Sequence, residues 1–144
     1  MMTDDLYADP EVCQAILMDY YKNPRCAGVC IPATHAAEAT NPACGDIVKL
    51  SFQIEGDRIL QARTTGAGCA LSQASASLLV EQLQGKTLTE ARTLLGEFDS
   101  LLAGKDGSPG ILDRLLALRL ITSNPARVRC AGVAREAAEQ ALAE

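Results

Sequence analysis

Three of the six cysteines lie where an ionised thiol is favoured, and an aspartate lies close to the first of them. Cys44 and Asp46 are separated by Gly45, whose backbone freedom lets the thiolate and the carboxylate turn toward one ion. Cys69 follows a glycine-rich segment at the predicted start of a helix, where free backbone amides favour thiolate over thiol. Cys130 lies in the first turns of the last predicted helix, beside Arg127 and Arg129, which act in the same direction. We therefore interpret these four side chains as candidate ligands of one metal ion.

The four candidates form a mostly soft donor set of three thiolates and one carboxylate. Such a set suits tetrahedral zinc or the edge of an iron–sulfur cluster, and it suits calcium or magnesium poorly. The cysteines are tens of residues apart, which is unlike the close pairs of a zinc finger. On chemistry alone, an alternative is that they are small buried hydrophobic residues, as free cysteines often are.

Alternating hydrophobicity predicts a small antiparallel sheet ahead of the second of these cysteines. Residues 47–54 alternate apolar and polar side chains, and a turn at residues 55–57 leads into a second alternating run at residues 59–65. A weaker strand is predicted at residues 35–40. These two or three strands place Cys44 and Asp46 just before the hairpin, and Cys69 just after it.

Helical periodicity and capping residues predict about five helices around this sheet. They cover residues 10–22 after an Asp9 cap, residues 70–84, a segment after the Thr87 and Glu90 capping box, a short amphipathic stretch at 111–120, and a last helix from Asn124-Pro125. The last helix carries an apolar stripe of Cys130, Val133, Ala134, Ala137 and Ala141. Strands followed by a run of helices indicate an α+β fold, and we expect residues 1–144 to form a single domain.

The charge pattern argues against nucleic acid and membranes as partners. The formal net charge is −5, so no overall positive field exists to attract phosphates or anionic lipids. No apolar stretch approaches the roughly 18 residues that a membrane helix needs. The first ten residues carry Asp4, Asp5 and Asp9 where a signal peptide would be basic and then apolar. We therefore expect a cytoplasmic protein, in which six cysteines indicate metal or thiol chemistry rather than disulfides.

The remaining titratable residues have simpler interpretations. Cys13 falls inside the first helix and is interpreted as a small buried hydrophobic residue. Cys26, Cys30 and the only histidine, His35, are close in sequence and form a candidate second metal or redox site, although His35 is better explained as a hydrogen-bonded residue near a strand. Arg127 and Arg129 are interpreted as solvating the start of the last helix, with an acidic patch of a partner as the alternative.

Three ordered motifs make the sequence recognisable. They are Asn41-Pro42-x-Cys44-Gly45-Asp46, then Gly66-x-Gly68-Cys69-Ala70-x-Ser72-x-Ala74-Ser75-x-Ser77, then Arg127-x-x-Cys130-Ala131. Together with Tyr20-Tyr21-Lys22-Asn23-Pro24-Arg25 they closely resemble the U-type iron–sulfur cluster assembly family, IscU, SufU and NifU-N. The resemblance covers nearly the whole chain. It implies the NifU/IscU-like fold.

Within that family the sequence is more similar to SufU than to IscU. IscU-like scaffolds usually carry histidine immediately before the third cysteine, where this chain has Arg129, and their segment between the second and third cysteines is shorter. The resemblance to SufU implies one Zn²⁺ held by Cys44, Asp46, Cys69 and Cys130. It further implies that Cys44 accepts persulfide sulfur from a pyridoxal-phosphate cysteine desulfurase. The protein would then act as a partner of that enzyme, upstream of other iron–sulfur assembly proteins, rather than as an independent enzyme.

Three alternatives stay open on the sequence. The same ligands suit a scaffold on which a [2Fe–2S] cluster is assembled. A binding module with purely structural zinc is disfavoured because aspartate is a weak choice in a closed structural site. A thiol redox enzyme is disfavoured because none of the three motifs contains a close pair of cysteines.

Overall fold

The computed structural model describes residues 6–143 of the chain. The strands are β1 (His35–Asn41), β2 (Asp46–Glu55) and β3 (Arg58–Ala67). The helices are α1 (Pro10–Lys22), α2 (Ala70–Leu83), α3 (Leu88–Leu102), the single turn α4 (Pro109–Leu112), a 3-10 helix (Asp113–Ile121) and α5 (Pro125–Leu142). This order confirms the predicted α+β fold. The acidic start at Asp4 and Asp5 lies outside the described residues.

The sheet is an antiparallel meander with β2 in the centre. In the register, Asn41 at the end of β1 lies opposite Asp46 at the start of β2. Ile47 lies opposite Ala67 at the end of β3. The loop of residues 42–45 and the exit of β3 therefore meet at one edge of the sheet. That edge carries two of the sequence motifs.

Helices α2 and α5 pack on the sheet and on each other, so the core lies between these helices and β2. Val48, Leu50 and Phe52 are all buried on β2. Ser75 of α2 fixes the two helices together, because its Oγ donates a 2.7 Å hydrogen bond to the carbonyl oxygen of Ala131 on α5. This contact lies one residue away from Cys130.

The predicted helix caps are all present. Asp9 accepts a hydrogen bond from the amide of Glu11, and Thr87 and Glu90 form the reciprocal capping box. Asn124 accepts from the amides of Ala126 and Arg127 at the start of α5. The apolar stripe predicted for that helix is buried from Cys130 to Ala141.

The segment predicted as a short amphipathic helix at residues 111–120 is helical, but it is not a regular amphipathic α-helix. The chain forms one α-helical turn and then the 3-10 helix, with a break at Asp113, whose φ is +47°. Four consecutive residues, Leu115 to Leu118, are buried, and the exposed Asp113 and Arg114 lie together at the start, so no polar stripe runs along the segment. The segment is enclosed by neighbouring helices, mainly α1 and α3, and this packing replaces the 3.6-residue periodicity. None of the helices within residues 6–143 has the length and hydropathy that a membrane span requires.

Candidate metal centre

Three of the four predicted ligands form one cluster at the edge of the sheet. The sulfurs of Cys44 and Cys130 and a carboxylate oxygen of Asp46 all lie within 4.8 Å of one another. Cys44 comes from the loop between β1 and β2, Asp46 is the first residue of β2, and Cys130 lies in the second turn of α5. The two sulfurs are 3.4 Å apart. Cys44 is exposed, whereas Asp46 and Cys130 are buried.

Cys69 borders this cluster as the N-cap residue of α2. Its Sγ accepts a 3.4 Å hydrogen bond from the amide of Ser72, and its own amide donates to Asp46 Oδ1 at 2.8 Å. Its thiol is close enough to Cys130 and Asp46 to influence the protonation of both. The structure thus brings the fourth predicted ligand alongside the other three, and its role as a ligand stays a prediction.

Gly68 makes this close approach possible. Its φ is +132°, and a Cβ at this position would lie 2.4 Å from Asp46 Oδ1 and 2.7 Å from Asp46 Cα. No side chain fits in that space. The Gly-x-Gly-Cys motif therefore brings the backbone of residue 68 directly against the carboxylate that Cys69 holds.

Asp46 has one satisfied and one unsatisfied oxygen. Oδ1 accepts from Cys69, while Oδ2 is buried and has no hydrogen-bond partner among the described residues. A buried carboxylate oxygen without a donor or cation is costly, so such atoms usually have a partner. A cation bound between this carboxylate and the neighbouring thiols would provide one. The residues present therefore fit a soft divalent metal.

The protonation states of Asp46 and Cys130 differ. Burial raises the pKa of Asp46, but the hydrogen bond from the Cys69 amide and the nearby thiols of Cys130 and Cys69 outweigh this effect, so the pKa is lowered and the group is ionised. Burial, followed by hydrogen bonding with Cys44, Asp46 and Cys69, raises the pKa of Cys130 well above that of a free thiol. The expectation that Cys130 ionises easily is wrong for the metal-free chain, because its helix position does not offset desolvation. A metal must displace this proton to use the sulfur.

Asn41 is a neighbour of the cluster to which the motif alone assigned no role. Its side chain is buried at the end of β1, and Nδ2 points to Cys130 Sγ at 3.7 Å. Its backbone carbonyl accepts a hydrogen bond from the amide of Cys44 at 3.1 Å. The sequence signal was its place at the head of the first ligand motif, but the pairing with a sulfur 89 positions away needed the fold.

A cavity of about 460 Å³ opens beside the cluster. It is lined by the three cysteines, by apolar side chains of α1 and α2, and by polar groups at the start of α5; among these are Leu17, Met18, Leu71, Asn124 and Arg127. The sulfurs can thus be reached from outside through a partly apolar recess.

Comparison with known proteins decides the family. Residues 13–100 match the NifU-like N terminal domain. The chain belongs to the NifU-like N-terminal domain family. It is 34% identical over 130 residues to the zinc-dependent sulfurtransferase SufU of Bacillus subtilis, covering 90% of this chain and 88% of that protein. The family prediction is confirmed.

Two further relatives of this NifU-like chain point the same way. The iron–sulfur cluster assembly scaffold protein IscU of Thermotoga maritima is 32% identical over 126 residues, covering 88% of this chain and 89% of that protein. The crystal structure of FiSufU, from Fervidobacterium islandicum AW-1, superposes with a TM-score of 0.83 at 33% identity, covering 88% of this chain and 93% of that one. The predicted NifU/IscU-like fold is therefore confirmed.

The other cysteines of this NifU-like chain lie apart from the cluster. Cys13 is buried in α1 and donates to the carbonyl oxygen of Tyr7 at 3.3 Å, as expected of a core residue. Cys30 is buried and donates to the carbonyl oxygen of Ser51. His35 begins β1, with Nδ1 2.9 Å from the hydroxyl of Thr34. Across residues 6–143, no second group of three potential ligands gathers around Cys26, Cys30 and His35.

Proposed function

We propose that this protein accepts persulfide sulfur on Cys44 for iron–sulfur cluster assembly, with one zinc ion held by Cys44, Asp46, Cys69 and Cys130. The observation that carries the proposal is a difference in exposure within one cluster. Cys44 is exposed on a loop, while its neighbours Asp46 and Cys130 are buried. The match to a relative named as a zinc-dependent sulfurtransferase supports the same conclusion.

The chain's own residues supply orientation and access. Zinc bound here would hold the sulfurs as thiolates and tie the loop to α2 and α5. The amide of Cys69 orients the Asp46 carboxylate. Cys44 lies in a loop that contains Gly45, whose φ is +69° and which has open space around it. The loop can therefore move toward a partner more readily than the helix-borne Cys69 and Cys130.

The proposed transfer is an exchange between sulfurs. The Cys44 thiolate attacks the outer sulfur of a persulfide on a cysteine desulfurase, and a new S–S bond forms at Cys44. The S–S bond of the partner breaks, and its cysteine leaves as a thiolate with the bonding electron pair. No external oxidant or reductant is needed, because the sulfane sulfur keeps its oxidation state. The cavity beside Cys44 offers room for the partner segment that carries the persulfide.

The proposal includes the partners and the setting. A cysteine desulfurase supplies the sulfur, and downstream iron–sulfur assembly proteins receive it. Thiols stay reduced in the cytoplasm, so that compartment suits six free cysteines. The net charge of −5 supports partners other than nucleic acid or anionic membranes.

A scaffold for a [2Fe–2S] cluster at the same ligands is the second candidate. The match to a relative named as an IscU scaffold favours it. Metal analysis of anaerobically purified protein separates the two candidates. We expect a colourless protein with about one zinc per chain; iron and sulfide in place of zinc would support the scaffold instead.

Substitution of Cys44 tests the acceptor role. In Cys44→Ser, we expect the stimulation of a cognate desulfurase to be lost while the chain stays folded, because the only exposed sulfur of the cluster is removed. The measurement is desulfurase turnover, with mass spectrometry of the chain after incubation with enzyme and cysteine. Cys26→Ser is the matched control, since it removes a half-buried thiol outside the cluster. A sulfur adduct on Cys130 that persists in Cys44→Ser would contradict the assignment.

A further inference from the structure

The three sulfurs at the metal centre differ in the hydrogen bonds that they accept. Cys69 Sγ accepts from the amide of Ser72 at 3.4 Å. Cys130 Sγ accepts from the side-chain amide of Asn41 at 3.7 Å. Within residues 6–143, Cys44 Sγ has a partner in the Cys130 thiol and none in an N–H group. Two sulfurs are thus supported by N–H donors, and the exposed one is not.

We propose that Asn41 is a positioning residue that keeps Cys130 as a retained metal ligand and leaves Cys44 as the sulfur that reacts. This inference rests on the proposed function, because it explains which thiolate of that site is released. It adds a residue whose side chain is not a ligand and acts through Cys130.

The physical argument starts from the thiolate. An N–H group that donates to a negatively charged sulfur stabilises the charge and lowers the electron density available for attack on an electrophile. Hydrogen-bonded partners of a ligand also fix its orientation, and their loss commonly weakens metal binding by about 10- to 100-fold. Asn41 does this from a buried position, where water cannot replace its amide.

The fold holds this donor in place. Asn41 ends β1 and is paired with Asp46, so the donor and the carboxylate ligand share one rung of the sheet. Its carbonyl accepts from the amide of Cys44, which closes the loop that carries the reactive thiol. One residue therefore contacts the segment of the reactive sulfur through its backbone and the retained sulfur through its side chain.

The principal test variant is Asn41→Leu, which removes the N–H donor and keeps a side chain of similar branched shape. Ser75→Ala is the matched control, since it deletes the buried bond to Ala131 beside Cys130 and leaves the donor to sulfur intact. Both variants and the wild type are loaded with Zn²⁺ and treated with limiting iodoacetamide, and the alkylated cysteines are located by proteolysis and mass spectrometry. Zinc release to a chelator is measured in parallel.

We expect the wild type and Ser75→Ala to be alkylated first at Cys44. In Asn41→Leu, the ratio of Cys130 to Cys44 alkylation should rise about tenfold, and zinc should be released to the chelator at about tenfold lower chelator concentration. A ratio unchanged in Asn41→Leu, with zinc normally bound, would overturn the inference. So would an equal rise in Ser75→Ala, because that would indicate general loosening of the α2 and α5 contact.

A spectroscopic readout keeps the test valid if Asn41→Leu does not fold. With Co²⁺ in place of Zn²⁺, loss of the N–H donor raises the energy of the sulfur lone pairs, so the sulfur-to-cobalt band should move to longer wavelength in Asn41→Ala. The band should stay in place in Ser75→Ala; an unmoved band in Asn41→Ala also overturns the inference.

None of these measurements uses a desulfurase. A wild type that binds no Zn²⁺ contradicts the proposed function itself, whereas a normal wild type with unaltered Asn41 variants contradicts this inference alone.

Discussion

At Cys130, burial affects the pKa of the thiol more than the neighbouring sequence does. The residue lies near the start of a helix and directly after Arg127 and Arg129, features that favour a thiolate. Both arginines are exposed, so water screens their charge, whereas the sulfur is buried beside Asp46 and two other thiols. The thiol pKa is therefore raised in the metal-free chain. Metal binding at this site must release a proton.

Gly68 provides a test of the geometry at a single residue. We expect Gly68→Ala to weaken zinc binding at least tenfold, because the new Cβ would collide with the backbone and carboxylate of Asp46. The measurement is competition with a chromophoric zinc chelator.

Gly56→Ala controls for backbone strain in this experiment. Gly56 also has a positive φ, +63°, but it lies in the turn between β2 and β3 with open space around it. Both substitutions should lower the melting temperature, since a non-glycine residue at positive φ costs about 1–3 kcal/mol. Only Gly68→Ala should change the zinc affinity. Equal zinc affinities in the two variants would contradict a specific role for the close approach.

The sequence predicted part of this site at the level of residues. Cys44 and Asp46 were identified because a glycine between a thiol and a carboxylate allows both to face one ion, and the structure brings them within 4.8 Å. The contact of Asn41 with Cys130 was not predictable from spacing, because it depends on α5 packing against the end of β1. The raised pKa of Cys130 was missed for the same reason, since burial is a property of the packed molecule.

At the level of elements, local signals predicted most boundaries. Proline at the first helical position and a capping side chain fixed the start of α1 and α5, because both act within a few residues. Alternation predicted β2 and β3 because one face of each is buried. The segment after Pro109 was predicted to be helical, but its 3-10 conformation was not, since this conformation depends on enclosure by other helices rather than on a local pattern.

The capping box of α3 gives a prediction for an element remote from the metal centre. We expect Thr87→Ala to lower stability by about 1 kcal/mol, because the amide of Glu90 loses its acceptor. Zinc affinity should not change, since α3 carries none of the candidate ligands. The measurement is denaturant unfolding with zinc titration in parallel. Thr89→Ala is the matched control because Thr89 is exposed on the same helix; an equal loss of stability there would contradict the capping argument.

On the scale of the whole molecule, the candidate ligands join segments that are far apart in the chain. Cys44 and Asp46 belong to the β1–β2 hairpin, Cys69 to the start of α2, and Cys130 to α5. These segments otherwise meet through hydrophobic packing and a few hydrogen bonds, such as the one from Ser75 to Ala131. A bound metal would therefore act as a cross-link between the edge of the sheet and two helices.

Removal of the metal tests this cross-link. We expect chelation of zinc to lower the melting temperature by about 10 °C or more, because a ligand at 1,000 times its Kd stabilises the folded state by about 4 kcal/mol. The metal-free chain should stay folded at room temperature, since its core is formed by α2, α5 and β2 without the ion. The measurement is thermal unfolding followed by circular dichroism, before and after dialysis against chelator. Asp46→Ala removes the carboxylate and keeps all three thiols. Its melting temperature should lie between those of the zinc-bound and the metal-free wild type, and chelation should lower it less. Release of one equivalent of zinc with no change in melting temperature would show that the ion does not link the hairpin to the helices.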